Sequence, residues 1–116
     1  MNSTSTITDG ILYITLTGDL IGSPDTQQFL QSVNECFNDN ILSCAVDLSA
    51  ICYINSTGIG ALVSLLTKFR SRGGEMVLIN PADHPRKMLA LTKLNNIFAV
   101  AADQAAAHQQ LTLAAS

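Results

Sequence analysis

Asn55-Ser56-Thr57-Gly58-Ile59-Gly60-Ala61-Leu62 opens the segment that decides the fold. From it, Ile59, Leu62, Val63, Leu66 and Phe69 recur at the spacing of one helix face. Gly73-Gly74 closes the pattern as a glycine C-terminus does. Upstream, Ser43-Cys44-Ala45-Val46-Asp47-Leu48 is short and almost continuously apolar, and downstream Met76-Val77-Leu78-Ile79 repeats that character. Such runs are strands covered on both faces. Strand, helix and strand in that order predict a parallel βαβ unit with a right-handed crossover. A loop through Cys52 and Tyr53 is expected to lead into the helix.

Working outward, Ile11-Leu12-Tyr13-Ile14-Thr15-Leu16-Thr17 alternates at period two, predicting a strand with one face on the core. A short strand around residues 3–8 precedes it, with Asp9-Gly10 as the hairpin turn. Ser23 as N-cap and Pro24 at the first helical position open a helix whose stripe is Phe29, Leu30, Val33, Cys36 and Phe37. Asn38-Asp39-Asn40 ends it. After Asn80-Pro81, Asp83 is expected to cap a helix of about ten residues carrying Met88, Leu91 and Leu94. Ile97-Phe98-Ala99-Val100 reads as a last strand, and Asp103 begins an alanine-rich helix with Leu111 and Leu113. The expectation is a single α/β domain over residues 1–116, a small mixed parallel/antiparallel sheet flanked by about four helices.

Composition removes several functional classes. With 47% hydrophobic and 13% charged residues among 116, the chain is not a disordered one. No apolar run approaches the ~18 residues of a membrane span. Met1-Asn2-Ser3-Thr4-Ser5-Thr6 lacks the basic flank and apolar stretch of a signal peptide, so a cytoplasmic location is expected. Cys36, Cys44 and Cys52 form no Cys-x-x-Cys pair and read as free buried thiols. A net charge of −3 with six basic residues argues against nucleic-acid binding. Residues 1–67 carry six acids and no base, whereas 68–116 hold all six bases against three acids. The resulting −6 and +3 of the two parts are read as solvating two faces, with an oriented field toward partners as the other reading.

Enzyme motifs fail. Ile54-Asn55-Ser56-Thr57-Gly58 lacks the first glycine of a nucleophile elbow, and no spacing brings His84 or His108 to Ser56 as a base. Gly58-Ile59-Gly60 begins like a dinucleotide fingerprint, but position 63 is Val. No phosphate loop occurs, and Asp19, Asp25 and Asp47 are too scattered to argue for a metal cluster. No catalytic residue, cofactor or metal is therefore expected. What remains is the polar step before the helix. Asn55, Ser56 and Thr57 are all good N-cap types, yet two hydroxyls followed by two glycines exceed what a cap needs and leave the backbone accessible.

Ile54 to Leu62 followed by Gly73-Gly74-Glu75-Met76-Val77-Leu78 resembles a STAS domain of the anti-anti-sigma factor (anti-sigma factor antagonist) family. Leu16-Thr17-Gly18-Asp19-Leu20 resembles that family's segment before its first helix, and Leu89 to Phe98 its downstream helix and strand. The resemblance implies a non-enzymatic partner-switching phosphoprotein in transcription regulation. Its unmodified form binds an anti-sigma factor that is also a GHKL-type serine kinase and releases a sigma factor or other effector. Phosphorylation, carried over by position to Ser56, ends that binding, and a PP2C-type phosphatase resets it. The implied partner surface is Asp19, Ser23, Asn55, Ser56, Thr57, Gly58, Ile59 and Gly60, with the exposed side of helix 57–72. Thr57 is a second candidate acceptor.

Two positions depart from the family pattern. Asn55 stands where the family carries an acid, which removes a charge able to orient a hydroxyl or meet a nucleotide-bound metal. Ile21 stands where an Asp often follows the Asp-Leu pair. The alternative reading is accordingly a STAS module held permanently in a transporter or signalling complex, docking a transport ATPase with the same loop and helix and no phosphorylation cycle.

Overall fold

Asp9 (φ 55°) and Gly10 (φ 76°) both lie in the left-handed region, the signature of a two-residue type I′ hairpin turn. They join β1 (Asn2–Thr8) to β2 (Ile11–Leu20), the one antiparallel pair among the described residues. The computed structural model describes residues 2–36, 41 and 43–115. Phe37 and the Asn38-Asp39-Asn40 stop lie outside the described residues, as do the side chains of Ser23, Cys36 and Leu113.

Beyond the hairpin the chain runs α1 (Ser23–Cys36), β3 (Ser43–Ile54), α2 (Ser56–Ser71), β4 (Met76–Ile79), α3 (Asp83–Leu91), a 3₁₀ turn (Leu94–Asn96), β5 (Ala99–Ala101) and α4 (Gln104–Ala115). The strands lie in chain order, β1-β2-β3-β4-β5, and β2 to β5 are mutually parallel. Each parallel step is bridged by one helix, so the βαβ unit expected once occurs three times. The fold is α/β with a mixed sheet and four helices.

Alternation in the strands divides the core in two. Leu12, Ile14, Leu16, Cys44, Val46, Leu48, Met76 and Leu78 face α1, α2 and α3, and pack on Phe29, Val33, Leu62, Phe69 and Leu89. Ile11, Tyr13, Ala45, Val77, Ile79 and Ala101 face the other way, against Ala107 and Leu111 of α4. β2 is thus buried on both faces at its start, where its pattern predicted one. The alanine-rich α4 supplies the second cover because its small side chains let the helix lie close.

Several boundaries depart from expectation. α1 begins at Ser23, one residue early, with the Gly22 carbonyl accepting from the Thr26 N–H at 3.3 Å. Asp83 is not the cap of α3 but its first residue; Ala82 stands at the N-cap with no side-chain bond, and the Asp83 carboxylate favours the helix dipole instead. Leu91 is 77% exposed, and the buried positions are Pro85 and Leu89. Ile97 lies before β5, which spans only Ala99–Ala101. Cys44 is buried as expected, whereas Cys52 is exposed. Two expected features do recur. Gly73 (φ 82°) and Gly74 donate to the carbonyls of Arg70 and Phe69 in a Schellman ending to α2, and Asp103 caps α4 by accepting from the Ala106 N–H at 2.8 Å.

The largest difference positions the site. The stretch Cys52-Tyr53 is strand, not loop, because β3 continues to Ile54. β2 keeps pace with it through two register shifts, around Thr15/Thr17 and Gly18/Asp19, with Gly18 at φ 97°. Such bulges re-aim a strand while keeping its partner, and here they pair Asp19 with Tyr53 and Leu20 with Ile54.

Candidate functional site

The end of β2, the end of β3 and the start of α2 converge at Asn55. Its backbone is extended (φ −113°, ψ −175°), as an N-cap requires. Its N–H donates to the Leu20 carbonyl at 3.5 Å, and its own carbonyl accepts from the Ile59 N–H at 2.9 Å. Its side-chain Oδ1 accepts from the Gly58 N–H at 3.0 Å. One residue therefore ties β2 to α2 and satisfies an N-terminal amide of the helix.

Capping by Asn55 leaves Ser56 and Thr57, the first two residues of α2, exposed. Gly58 is buried because the chain passes too close for a side chain. A Cβ there would collide with the Leu20 carbonyl oxygen and stand 2.8 Å from Ile54 Cγ1. Ile59 points into the core. Gly60 differs in kind: it is exposed, and a Cβ on it would meet nothing within 4 Å. Packing gives no reason for a glycine at that helical position, where it costs about 1 kcal/mol relative to Ala.

Asp19, half-buried, stands in register with Tyr53, so it joins Asn55, Ser56, Thr57 and Gly60 at one end of the sheet. Ser23 follows two residues after Ile21 at the start of α1, and its side chain lies outside the described residues. Three neighbours adjoin these residues, of which the sequence singles out Ile21 but not Tyr53 or His84 as part of the site. Ile21 and Tyr53 are large apolar side chains left exposed at the strand ends. His84, 30 residues from Ile54, accepts the Ile54 N–H on Nδ1 at 3.1 Å and meets the Tyr53 ring edge-on, with centroids 5.1 Å apart. No local spacing signals a contact of that range.

Of the two histidines, His84 is engaged at Ile54, and His108 pairs with Asp9 at 2.9 Å. Among the described residues no group of three His, Cys, Asp or Glu could hold a metal ion, and no helix is long and apolar enough to cross a membrane. The arrangement is an accessible hydroxyl at a helix start, beside two exposed apolar side chains.

A family model described as STAS domain matches residues 2–107. No curated protein matches the chain. Among solved structures, the chain is similar to TM1081 from Thermotoga maritima, solved as a candidate anti-sigma factor antagonist. The identity is 22%, the coverage 95% of this chain and 94% of that one, and the TM-score 0.86. It is also similar to the anti-sigma factor antagonist SpoIIAA in its unphosphorylated form (15% identity, 96% and 98% coverage, TM-score 0.75). The phosphorylated form, from Bacillus, matches about as well (17%, 93% and 98%, 0.74). A murine anion transporter, Slc26a9, matches over 74% of this chain and 14% of its own, at 17% identity and TM-score 0.62. Identities at this level establish a shared fold.

Proposed function

The chain belongs to the STAS domain family, and on that footing we propose that it is a non-enzymatic anti-sigma factor antagonist that works by partner switching. In this reading the surface of Asp19, Asn55, Ser56, Thr57 and Gly60, without the buried Gly58 and Ile59, docks on an anti-sigma factor that is a GHKL-type serine kinase, and a sigma factor or other effector is released. The kinase then moves the γ-phosphoryl group of ATP to Ser56. The Oγ–P bond forms, the bond to the ADP oxygen breaks with its electron pair leaving on ADP, and the hydroxyl proton passes to a base on the kinase. A PP2C-type phosphatase hydrolyses the ester and restores the hydroxyl.

The observation that carries the reading is that Ser56 is exposed at the first position of α2 while Asn55 does the capping. The cap is made by Asn55 and not by the Ser56 hydroxyl, so modifying that hydroxyl does not unmake the turn. Phosphate adds about −1.5 to −2 charges. At a helix N-terminus the dipole favours such an anion by roughly 0.3–1 kcal/mol. A partner packed over Ser56 would instead have to accommodate new bulk and desolvate the charge. About 1.4 kcal/mol of mismatch weakens binding tenfold, so modification changes the partner and spares the fold. The near-equal likeness to both forms of SpoIIAA is in keeping with this.

Intact mass after incubation with ATP and the purified kinase tests the proposal. The expected result is one added phosphate, absent in Ser56→Ala. Intact mass suits the chain because no Lys or Arg precedes Lys68, so trypsin leaves Ser56 in one long N-terminal fragment. Asn55 in place of an acid favours a second reading, a STAS module bound in a transport complex without phosphorylation. Copurification with a transport ATPase and no added mass would select it.

A further inference from the structure

The chain on either side of Ser56 is uncharged over a long stretch: no Asp, Glu, Lys or Arg occurs from Leu48 to Thr67. At its margin two large apolar side chains remain in solvent, Ile21 at the end of β2 (41% exposed) and Tyr53 near the end of β3 (57%). Tyr53 is not a loose side chain. Its ring stands at 67° to the His84 imidazole, and His84 Nδ1 holds the next residue's N–H. The strand end, the imidazole and the phenol ring form one braced unit, two residues before Asn55.

An exposed aromatic already fixed in place loses little conformational entropy when covered, and it brings a large contact area. Those are the properties of residues that dominate binding energy at interfaces. Asp19 in register with Tyr53 and Asp83 next to His84 flank this face, but the strip of chain from Leu48 to Thr67 offers a partner's lysines or arginines no acid, so charge placed over that strip would be desolvated without return. Building on the docking reading above, we infer that the partner covers this site with an uncharged, apolar protein surface for which Tyr53 is the main anchor, Ile21 a second contact and His84 a positioning residue.

Calorimetric titration of the full chain with a purified GHKL-type serine kinase from its own cell, held in ADP, tests the inference. Tyr53→Phe should bind as the natural chain does. Tyr53→Ser should bind about 30-fold more weakly or worse, the fold-change that about 2 kcal/mol represents. Ile21→Asp should lose about tenfold, and affinity should hold within about twofold between about 0.05 and 0.5 M NaCl. His84→Ala should weaken binding and shift the Ile54 amide resonance, whereas Lys87→Ala, on the same helix, should do neither. Both Tyr53 variants change an exposed side chain, and a matching thermal melt excludes unfolding as the cause. A complex that tolerates Tyr53→Ser, or that weakens tenfold with salt, overturns the apolar anchor and leaves the docking reading standing. A natural chain that binds no kinase overturns both.

Discussion

The Leu20 carbonyl oxygen occupies the space that any side chain on Gly58 would need. β2 and α2 meet at that point, and the Asn55 N–H reaches the same carbonyl. Gly58→Ala should therefore displace backbone, which yields less readily than a side-chain tip, and cost about 1–3 kcal/mol. Gly60→Ala, two residues on, should stabilise the fold by about 0.5–1 kcal/mol, since its Cβ meets open space and alanine is the better helix former. Urea denaturation of the two variants should move their midpoints in opposite directions. If Gly60 lies under a partner, Gly60→Ala should weaken that complex although the fold gains.

Ser56 and Asn55 separate modification from capping. Ser56→Asp should leave the melt within about 0.5 kcal/mol of the natural chain, because an exposed acid in the first helical turn is compatible with the dipole. Asn55→Ala should cost about 0.5–2 kcal/mol through loss of the Gly58 amide's acceptor. Binding to the kinase should respond in the other order, with Ser56→Asp losing most of it. Circular-dichroism melts beside titration calorimetry check both halves. A collapse of Ser56→Asp on heating would make Ser56 a structural residue.

The contrast between these two residues shows what was legible before any coordinates. Apolar runs at β3 and β4, the stripe of α2 and its glycine ending are local patterns, and they named the α/β fold. The candidate segment Asn55 to Gly60 could be singled out for the same reason, being one contiguous stretch, although the burial of Gly58 and Ile59 within it could not. The division of labour inside it was not, because three adjacent cap-type residues look alike until backbone angles select one. Tyr53 and Cys52 read as loop since nothing in their own segment announces that β2 bulges at Gly18 to keep pairing with them. The brace between Tyr53 and His84 depends on α3 crossing to the end of β3, a contact that tertiary packing creates.

Phase along α3 is a further case, and it yields a sharp test. Met88, Leu91 and Leu94 suggested one face, but the helix turns Leu89 inward beneath the sheet's α1–α3 side and leaves Leu91 in solvent. Leu89→Ala should cost about 2–5 kcal/mol, as removal of a buried leucine does. Leu91→Gln should fall within about 0.5 kcal/mol of the natural chain. Equal losses from the two in a denaturant titration would rotate the helix from the position described.

On the α4 side, Tyr13 is buried, and its hydroxyl has no hydrogen-bond partner among the described residues. Burial, and then the Asp9 carboxylate, push its pKa above the ordinary 10.0, while burial alone pushes the Cys44 thiol above 9.0. In both cases the folded state holds the proton more tightly than the unfolded chain. The stability this contributes is complete below the ordinary values and is lost as pH climbs from about 9 toward the raised ones, by up to about 1.4 kcal/mol per pH unit for each group. Urea midpoints should accordingly be flat near neutrality and fall between about pH 9 and 11. Cys44→Ala should begin lower, from its cavity, yet decline less steeply. Tyr13→Phe should decline less steeply as well and start at or above the natural chain, since it removes a buried hydroxyl whose desolvation costs about 1–3 kcal/mol when unpaired. A Tyr13→Phe variant clearly less stable at pH 7 would mean that the hydroxyl has a partner in solution, and the α4 face would need a different account.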